Sequence, residues 1–210
     1  MRNRTPPNRT RAPTSRAKTP QTRTPQTQAH KTHLSAVVLI PPESVWEPLQ
    51  TIRRAHDQGF RRWMPHITLL YPFMPKGSFN KILPDLAQVG WEQPPLELTL
   101  TTFRWFRHGQ GSYTVWLAPE PEGTVVKLHG ALLGAFPEFA DTGSFKDGFS
   151  PHLSVGQVEG TAKLRRLVDE LQAGWEPLRF TVGELSLISR KDPPNDVFQV
   201  DRRIPLEGRP

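Results

Sequence analysis

Two hexapeptides, MPHITL at residues 64–69 and SPHLSV at residues 150–155, decide the fold of this chain. After the first position both read proline, histidine, apolar residue, hydroxyl residue, apolar residue, and the two histidines are 152 − 66 = 86 residues apart. Each proline fits the first residue of a strand, where its missing N–H costs least. The repeat therefore predicts one short strand in each of two similar halves of the chain.

Each hexapeptide carries an imidazole and a hydroxyl group two residues apart. Residues i and i+2 of a strand point to the same face, so we expect His66 beside Thr68 and His152 beside Ser154. One imidazole, which titrates near neutral pH, can remove a proton while the other donates one. The hydroxyl groups can donate hydrogen bonds to phosphoryl oxygens. If the two halves pack around a pseudo-twofold axis, this set suits phosphodiester chemistry without a metal or a covalent nucleophile.

The apolar residues predict a mixed succession of strands and helices around the two hexapeptides. Strands and helices do not alternate as regularly as in a doubly wound sheet, which favours an α+β fold. Helices are predicted over residues 44–56, 79–89, 123–136 and 161–173, and strands over residues 34–40, 66–71, 96–106, 113–118, 152–155, 180–189 and 196–203.

The net charge of +7 is concentrated at the start of the chain. Residues 1–31 hold eight basic and no acidic residues, so the remainder holds 27 − 8 = 19 basic against 20 acidic residues. Because this segment cannot bury enough apolar surface to fold, we expect a disordered tail before a domain at residues 32–208. The tail is either a passive extension or an electrostatic contact for RNA, and its repeated prolines disfavour an amphipathic transit peptide. A near-neutral domain disfavours a basic protein that coats nucleic acid.

Composition excludes several other classes of protein. The chain has no Cys and hence no disulfide, zinc–thiolate site or thiol nucleophile. No His, Asp and Glu cluster has the spacing of metal ligands, so a metal hydrolase is disfavoured. The longest apolar run near the start, residues 36–40, is too short to span a membrane, and no secretory h-region follows the basic start. We expect a monomeric cytoplasmic protein without a membrane partner.

The paired motifs resemble those of the 2H phosphoesterase superfamily. Residues 63–73 and 149–157 in particular resemble the bacterial 2′-5′ RNA ligase family, also described as RNA 2′,3′-cyclic phosphodiesterases. The resemblance implies a bilobal α+β fold, in which two pseudo-symmetric lobes with mostly antiparallel sheets flank a central cleft. It also implies that no metal or nucleotide cofactor is required and that RNA ends or cyclic nucleotides are the substrate.

The resemblance also assigns roles to the four motif residues. It makes His66 the proton donor and His152 the proton acceptor, with Thr68 and Ser154 binding the phosphate. The residues alone leave the two proton-transfer roles open, because the site is nearly symmetric.

The chain departs from this family in one respect. Several relatives carry a basic residue a few positions after a motif, where this chain has Tyr71 and Gln157. A cation from elsewhere in the chain and an aromatic side chain that stacks on a base would complete a substrate site. The candidates for such contacts are Tyr71, Lys146, Phe149 and Arg190.

Three functions are compatible with these motifs. The first is metal-independent hydrolysis of 2′,3′-cyclic phosphate ends to 2′-phosphates by two histidines. The second is a non-catalytic module that binds a nucleotide or an RNA end. The third is 2′-5′ RNA ligation, in which a 5′-hydroxyl group replaces water at the same site.

Overall fold

The computed structural model describes residues 31–143 and 148–209, and these residues contain eight strands and four α-helices. The expected tail at residues 1–31 lies outside the described residues, except for Lys31. No helix in the described ranges is long and apolar enough to cross a membrane. The strands are β1 (Ser35–Leu39), β2 (Ile67–Leu70), β3 (Leu96–Arg107), β4 (Ser112–Glu120), β5 (Leu153–Glu159), β6 (Leu178–Val182), β7 (Glu184–Ser189) and β8 (Gln199–Pro205), and the helices are α1 (Trp46–His56), α2 (Phe79–Glu92), α3 (Glu122–Ala135) and α4 (Thr161–Ala173).

The strands form two four-stranded antiparallel sheets, one in each lobe. The first sheet has the order β2-β1-β7-β8 and the second has the order β5-β4-β3-β6. The motif strands β2 and β5 are edge strands of their sheets and lie against each other. The α+β prediction is therefore confirmed, and each sheet brings one hexapeptide to the junction of the lobes.

One predicted strand was wrong. Residues 180–189 form two strands, β6 and β7, which are separated by Gly183 and belong to different sheets. Strand β6 pairs with β3, whereas β7 pairs with β1, so the chain crosses from the second lobe back to the first at this glycine. The apolar pattern runs through both strands and carries no information about their partners. The segment divides into two strands because β6 and β7 pair with different strands that are distant in sequence.

Helix α1 begins at Trp46, after a 3₁₀ turn at Glu43–Val45, and thus two residues after the predicted start at residue 44. Its buried face carries Leu49 and Arg53. The helix packs on β5 of the second sheet.

The contact between α1 and β5 joins the lobes closely. A Cβ atom at Gly156 of β5 would lie 2.7 Å from Cβ of His56, a distance that real Cβ atoms do not tolerate. Next to this contact, the backbone N–H of Gln58 donates to Oε1 of Gln157 at 2.8 Å. Glycine at position 156 therefore lets the lobes approach closely, and this approach helps to set the spacing of the two motifs.

Candidate active site

Both histidines lie just before their strands, and each ring is held by a carbonyl group two residues earlier. Nδ1 of His66 lies 2.7 Å from the carbonyl oxygen of Met64, and Nδ1 of His152 lies 2.9 Å from that of Ser150. A carbonyl oxygen can only accept a hydrogen bond, so Nδ1 carries the proton in both neutral rings. Each Nε2 is therefore the nitrogen that remains available to accept a proton.

The hydroxyl residues follow two positions later, as the strand period requires. Thr68 pairs with Val38 of β1, and Ser154 pairs with Trp116 of β4. Both are partly buried, as are the two histidines, whereas the apolar neighbours on the opposite faces are fully buried in the main core: Ile67, Leu69, Leu153 and Val155. The predicted alternation is therefore present in both strands.

Burial lowers the pKa of both imidazoles. The pKa of His66 is lowered from 6.5 to about 4, mainly by burial and also by the positive charges of Arg53 and His152, against the opposite effects of the hydrogen bond to the Met64 carbonyl and of Asp57. Burial also lowers the pKa of His152, against the opposite effect of its hydrogen bond to Ser150. Both rings are therefore neutral at pH 7 in the absence of a ligand. The charge effect of His152 on His66 is consistent with two rings that face one cleft.

The first histidine lies in a stack of aromatic rings. Trp63 stacks on His66 with a centroid distance of 4.6 Å and an interplanar angle of 15°, and Phe198 stacks on Trp63 at 3.7 Å and 25°. The guanidinium carbon of Arg190 lies 5.6 Å from the centroid of Phe198. Tyr71 contacts Trp63 edge-on at 5.5 Å. Sequence reasoning missed Trp63 and Phe198, although Trp63 lies only three residues before His66.

The second histidine has different neighbours. Phe106 meets His152 almost perpendicularly, with a centroid distance of 4.8 Å and an interplanar angle of 86°. Phe106 also stacks on Trp116, which is tilted against His152 at 5.8 Å. Arg104, on the strand next to Trp116, places its guanidinium carbon 5.9 Å from that indole. The strands around the two histidines are alike, but their aromatic surroundings are not.

A buried ion pair supports the loop that leads into the first motif. Arg53 of α1 donates through Nε to Oδ2 of Asp57 at 2.8 Å and through a terminal nitrogen to the carbonyl oxygen of Trp63 at 2.9 Å. Asp57 also accepts the backbone N–H of Gly59 at 2.7 Å. The side chains of Arg53 and Asp57 are only 2% and 6% exposed. Sequence reasoning missed both residues, although their i,i+4 spacing within a helical pattern is typical of an ion pair.

Two of the four candidates for substrate contact lie beside the ring stack. Burial raises the pKa of Tyr71, while the charges of Arg190 and Arg62 act in the opposite direction, which places both guanidinium groups near its hydroxyl group. Arg190 donates to the carbonyl oxygen of Lys191 at 3.2 Å, and its buried Nε has no hydrogen-bond partner. Tyr71 thus lies beside Trp63, and Arg190 lies beside Tyr71 and Phe198.

Of the other two candidates, one stacks on another ring and one lies outside the described residues. Phe149 stacks on His129 of α3, with a centroid distance of 3.7 Å and an interplanar angle of 9°. Lys146 lies outside the described residues. Within the described ranges, no group of three or more His, Asp or Glu side chains is close enough to hold a metal ion.

A groove of about 660 Å³ begins at Met64 and Phe198, beside the ring stack, and runs along the first sheet. Ile40 and Val200 lie along it, and Trp46 and Arg203 also contribute to its walls. Its size is typical of a pocket for a small organic ligand. The groove borders the ring stack, but His66, Thr68, His152 and Ser154 do not line it.

Comparison with known proteins identifies the family to which this chain belongs. The family model described as the 2′-5′ RNA ligase superfamily matches residues 41–194. A protein of Geobacillus kaustophilus named "Putative phosphoesterase" is 28% identical over 126 residues, which cover 58% of this chain and 67% of the relative.

Two solved structures share the fold. The protein TT0787 of Thermus thermophilus has a TM-score of 0.56 and 20% identity, with 83% of this chain and 98% of that chain covered. The Escherichia coli protein LigT, solved with phosphate, has a TM-score of 0.55 and 17% identity, with 84% and 99% covered. Both structures therefore have the same arrangement of two lobes.

Proposed function

The chain belongs to the 2′-5′ RNA ligase superfamily, and from this premise we propose that it is a metal-independent phosphodiesterase that hydrolyses 2′,3′-cyclic phosphate ends of RNA or nucleotides to 2′-phosphates. The observation that carries the proposal is the pair of imidazoles whose Nδ1 atoms are both fixed by backbone carbonyl groups. This arrangement leaves two Nε2 atoms for proton transfer, each with a hydroxyl group two residues away. The solved structures of LigT with phosphate and with 3′-AMP support a phosphate-containing ligand for this fold.

Hydrolysis begins with a water molecule in line with the bond from phosphorus to the 3′ oxygen. Nε2 of His152 accepts a proton from this water as its oxygen bonds to phosphorus. His66 enters this step as the imidazolium, which the anionic phosphate of the bound substrate favours, and its Nε2 donates the additional proton to the 3′ oxygen as that bond breaks. The products are a 2′-phosphate and a 3′-hydroxyl group, and the two histidines have exchanged protonation states, which exchange with solvent restores.

The two hydroxyl groups bind the oxygens that do not react. Thr68 and Ser154 lie on equivalent strand positions, so each donates to one non-bridging phosphoryl oxygen from its own lobe. Negative charge grows on these oxygens as the fifth bond to phosphorus forms, and a fixed donor stabilises that charge more than it stabilises the substrate. Loss of either hydroxyl group should therefore reduce kcat more than it raises KM.

Four further side chains are proposed to contact the substrate, two from the side of the first sheet and two from the other lobe. Arg190 supplies positive charge near the phosphate, since its Nε has no partner within the protein. Tyr71, beside it, offers a ring face and a hydroxyl group to the nucleoside. Phe149 and Lys146, before the second motif, are proposed to contact the substrate from the other lobe.

The proposal is tested by product analysis on an oligonucleotide with a 2′,3′-cyclic phosphate end, in the presence of EDTA. The wild type should release only the 2′-phosphate, at a rate that EDTA does not change. His66→Gln and His152→Gln should each lower kcat by about 10²- to 10⁴-fold, because each removes one proton-transfer group. His108→Gln, which changes an exposed imidazole outside the motifs, is the matched control and should leave kcat unchanged.

Three results would contradict the proposal. Full activity in either motif variant would exclude a mechanism with two histidines. Tight binding of the 2′-phosphate without turnover would identify a binding module. Formation of a 2′-5′ linkage with added 5′-hydroxyl RNA, without hydrolysis in its absence, would identify a ligase.

A further inference from the structure

The residue three positions before each catalytic histidine is aromatic, but the two side chains have different partners. Trp63 stacks on His66 itself. Phe149, at the equivalent position before His152, stacks on His129 instead. The pseudo-symmetry of the motifs is therefore broken at this position, and among the described residues a parallel ring covers His66 but not His152.

The covering ring is itself fixed from behind. Phe198, from the segment between β7 and β8, stacks on the far face of Trp63 at 3.7 Å, and both rings belong to one cluster with Met64 and Tyr71. The main chain of Phe198 is also fixed, because its N–H donates to the carbonyl oxygen of Arg62 at 2.9 Å. Trp63 therefore has one face on Phe198 and the other on His66.

On the basis of the proposed function, we propose that Trp63 is a positioning residue that holds the ring of His66 and stabilises its protonated form, which makes His66 the proton donor. The indole face is negative and attracts a cation, so a stacked imidazolium is favoured over a neutral imidazole. Of the described rings that contact His152, Phe106 meets it at 86° and Trp116 at 58°, so neither is parallel to it. The stacking of Trp63 on His66 thus distinguishes the two histidines, which occupy equivalent positions before β2 and β5.

Other charges near His66 act in both directions. Arg53 of α1 and His152, just before β5, disfavour its protonation by their positive charge, and Asp57 favours it. The Arg53–Asp57 pair is largely self-compensating, because the two side chains are 2.8 Å apart. An anionic phosphate between the lobes adds a further favourable charge when substrate is bound. The contact between the indole ring of Trp63 and His66 favours the imidazolium both in the free protein and in the substrate complex.

The test compares Trp63→Leu, which removes the aromatic face, with Trp63→Phe, which retains a smaller one. The matched control is Trp175→Leu, which removes a tryptophan that packs on Phe103 and donates to Leu100 in the second lobe. A cyclic phosphate mononucleotide is the substrate, and kcat is measured against pH. The alkaline limb reports the group that must be protonated, and we expect it to move about 0.5 to 1 pH unit lower in Trp63→Leu. Trp63→Phe should retain most of the wild-type profile, and the control should not move it.

An NMR titration of the His66 ring in the free protein provides a readout that does not need turnover. The midpoint should move to lower pH in Trp63→Leu, and Phe198→Leu, which leaves Trp63 in place, should move it less in the same direction. An unchanged midpoint, or an equal shift in Trp175→Leu, would overturn the positioning role. Movement of the acidic limb of kcat instead of the alkaline limb would overturn the donor assignment. Absence of turnover with a shifted midpoint would refute the phosphodiesterase proposal but not the stabilising contact.

Discussion

Acidification should destabilise this protein through His66, and the size of the effect follows from its pKa. Burial lowers that pKa from 6.5 to about 4 in the folded protein. The unfolded chain therefore binds a proton at this residue between pH 6.5 and 4, whereas the folded protein does not, so the free energy of unfolding falls as the pH is lowered through this window. A pKa difference of about 2.5 corresponds to about 3 kcal/mol at pH 4, since each pH unit is worth about 1.4 kcal/mol.

The perturbation is His66→Gln, and urea unfolding at pH 7, 6, 5 and 4 is the assay. The variant cannot take up a proton at this position, so it should lose less stability on acidification than the wild type. The difference in unfolding free energy between the two proteins should change by about 3 kcal/mol in favour of the variant from pH 7 to pH 4. Comparison of the two proteins at each pH cancels the titration of the carboxylates they share.

Thr68→Val is the control for this experiment. It changes a side chain of similar size on the same strand without changing a titratable group, so its difference from the wild type should be the same at every pH. A pH-independent difference for His66→Gln would refute the reasoning, because it would mean that the imidazole is as easily protonated in the folded protein as in the unfolded chain.

Three further outcomes are expected. Gly156→Ala should destabilise the protein by about 1–3 kcal/mol in thermal unfolding, because the added methyl group meets His56, whereas Gly130→Ala on the open surface of α3 should not. Asp57→Asn should cost about 3–5 kcal/mol in urea unfolding, because it leaves the buried cation of Arg53 without its partner, and a cost under about 1 kcal/mol would contradict this reading. The pH profile of kcat/KM should have its optimum below pH 6.5, because both catalytic imidazoles of the free protein have a lowered pKa and one of them must carry a proton.

Local pattern was sufficient to predict the parts of the fold that depend on near neighbours. Helix α4 lies at Thr161–Ala173, as predicted, because its apolar residues recur with the period of one helical face. The same-face placement of His66 and Thr68 follows from the period of a strand. The division at Gly183 could not be predicted, because it depends on which distant strands β6 and β7 join.

The surroundings of the candidate site were harder to predict than its motifs. Arg53 occupies a buried position that apolar periodicity reserves for aliphatic residues, and it is tolerated there because Asp57 and the carbonyl group of Trp63 accept its hydrogen bonds. Phe198 lies far along the chain from Trp63, within the strand predicted over residues 196–203 and immediately before the observed start of β8. A sequence shows which side chains are aromatic, but only the tertiary structure shows which of them meet.

The two lobes supply the same pair of side chains, an imidazole and a hydroxyl group, but the segments before their motif strands give the two histidines different neighbours. Strands β2 and β5 each present one imidazole fixed by a carbonyl group and one hydroxyl group, so neither strand favours one direction of proton transfer. The difference comes from outside the strands, since the turn before β2 places Trp63 on His66, while the segment before β5 directs Phe149 to His129. Hydrolysis by two histidines needs one imidazole that carries an additional proton and one that does not. In this protein that difference is assigned to a single ring contact, which a substitution at Trp63 can remove without altering either hexapeptide.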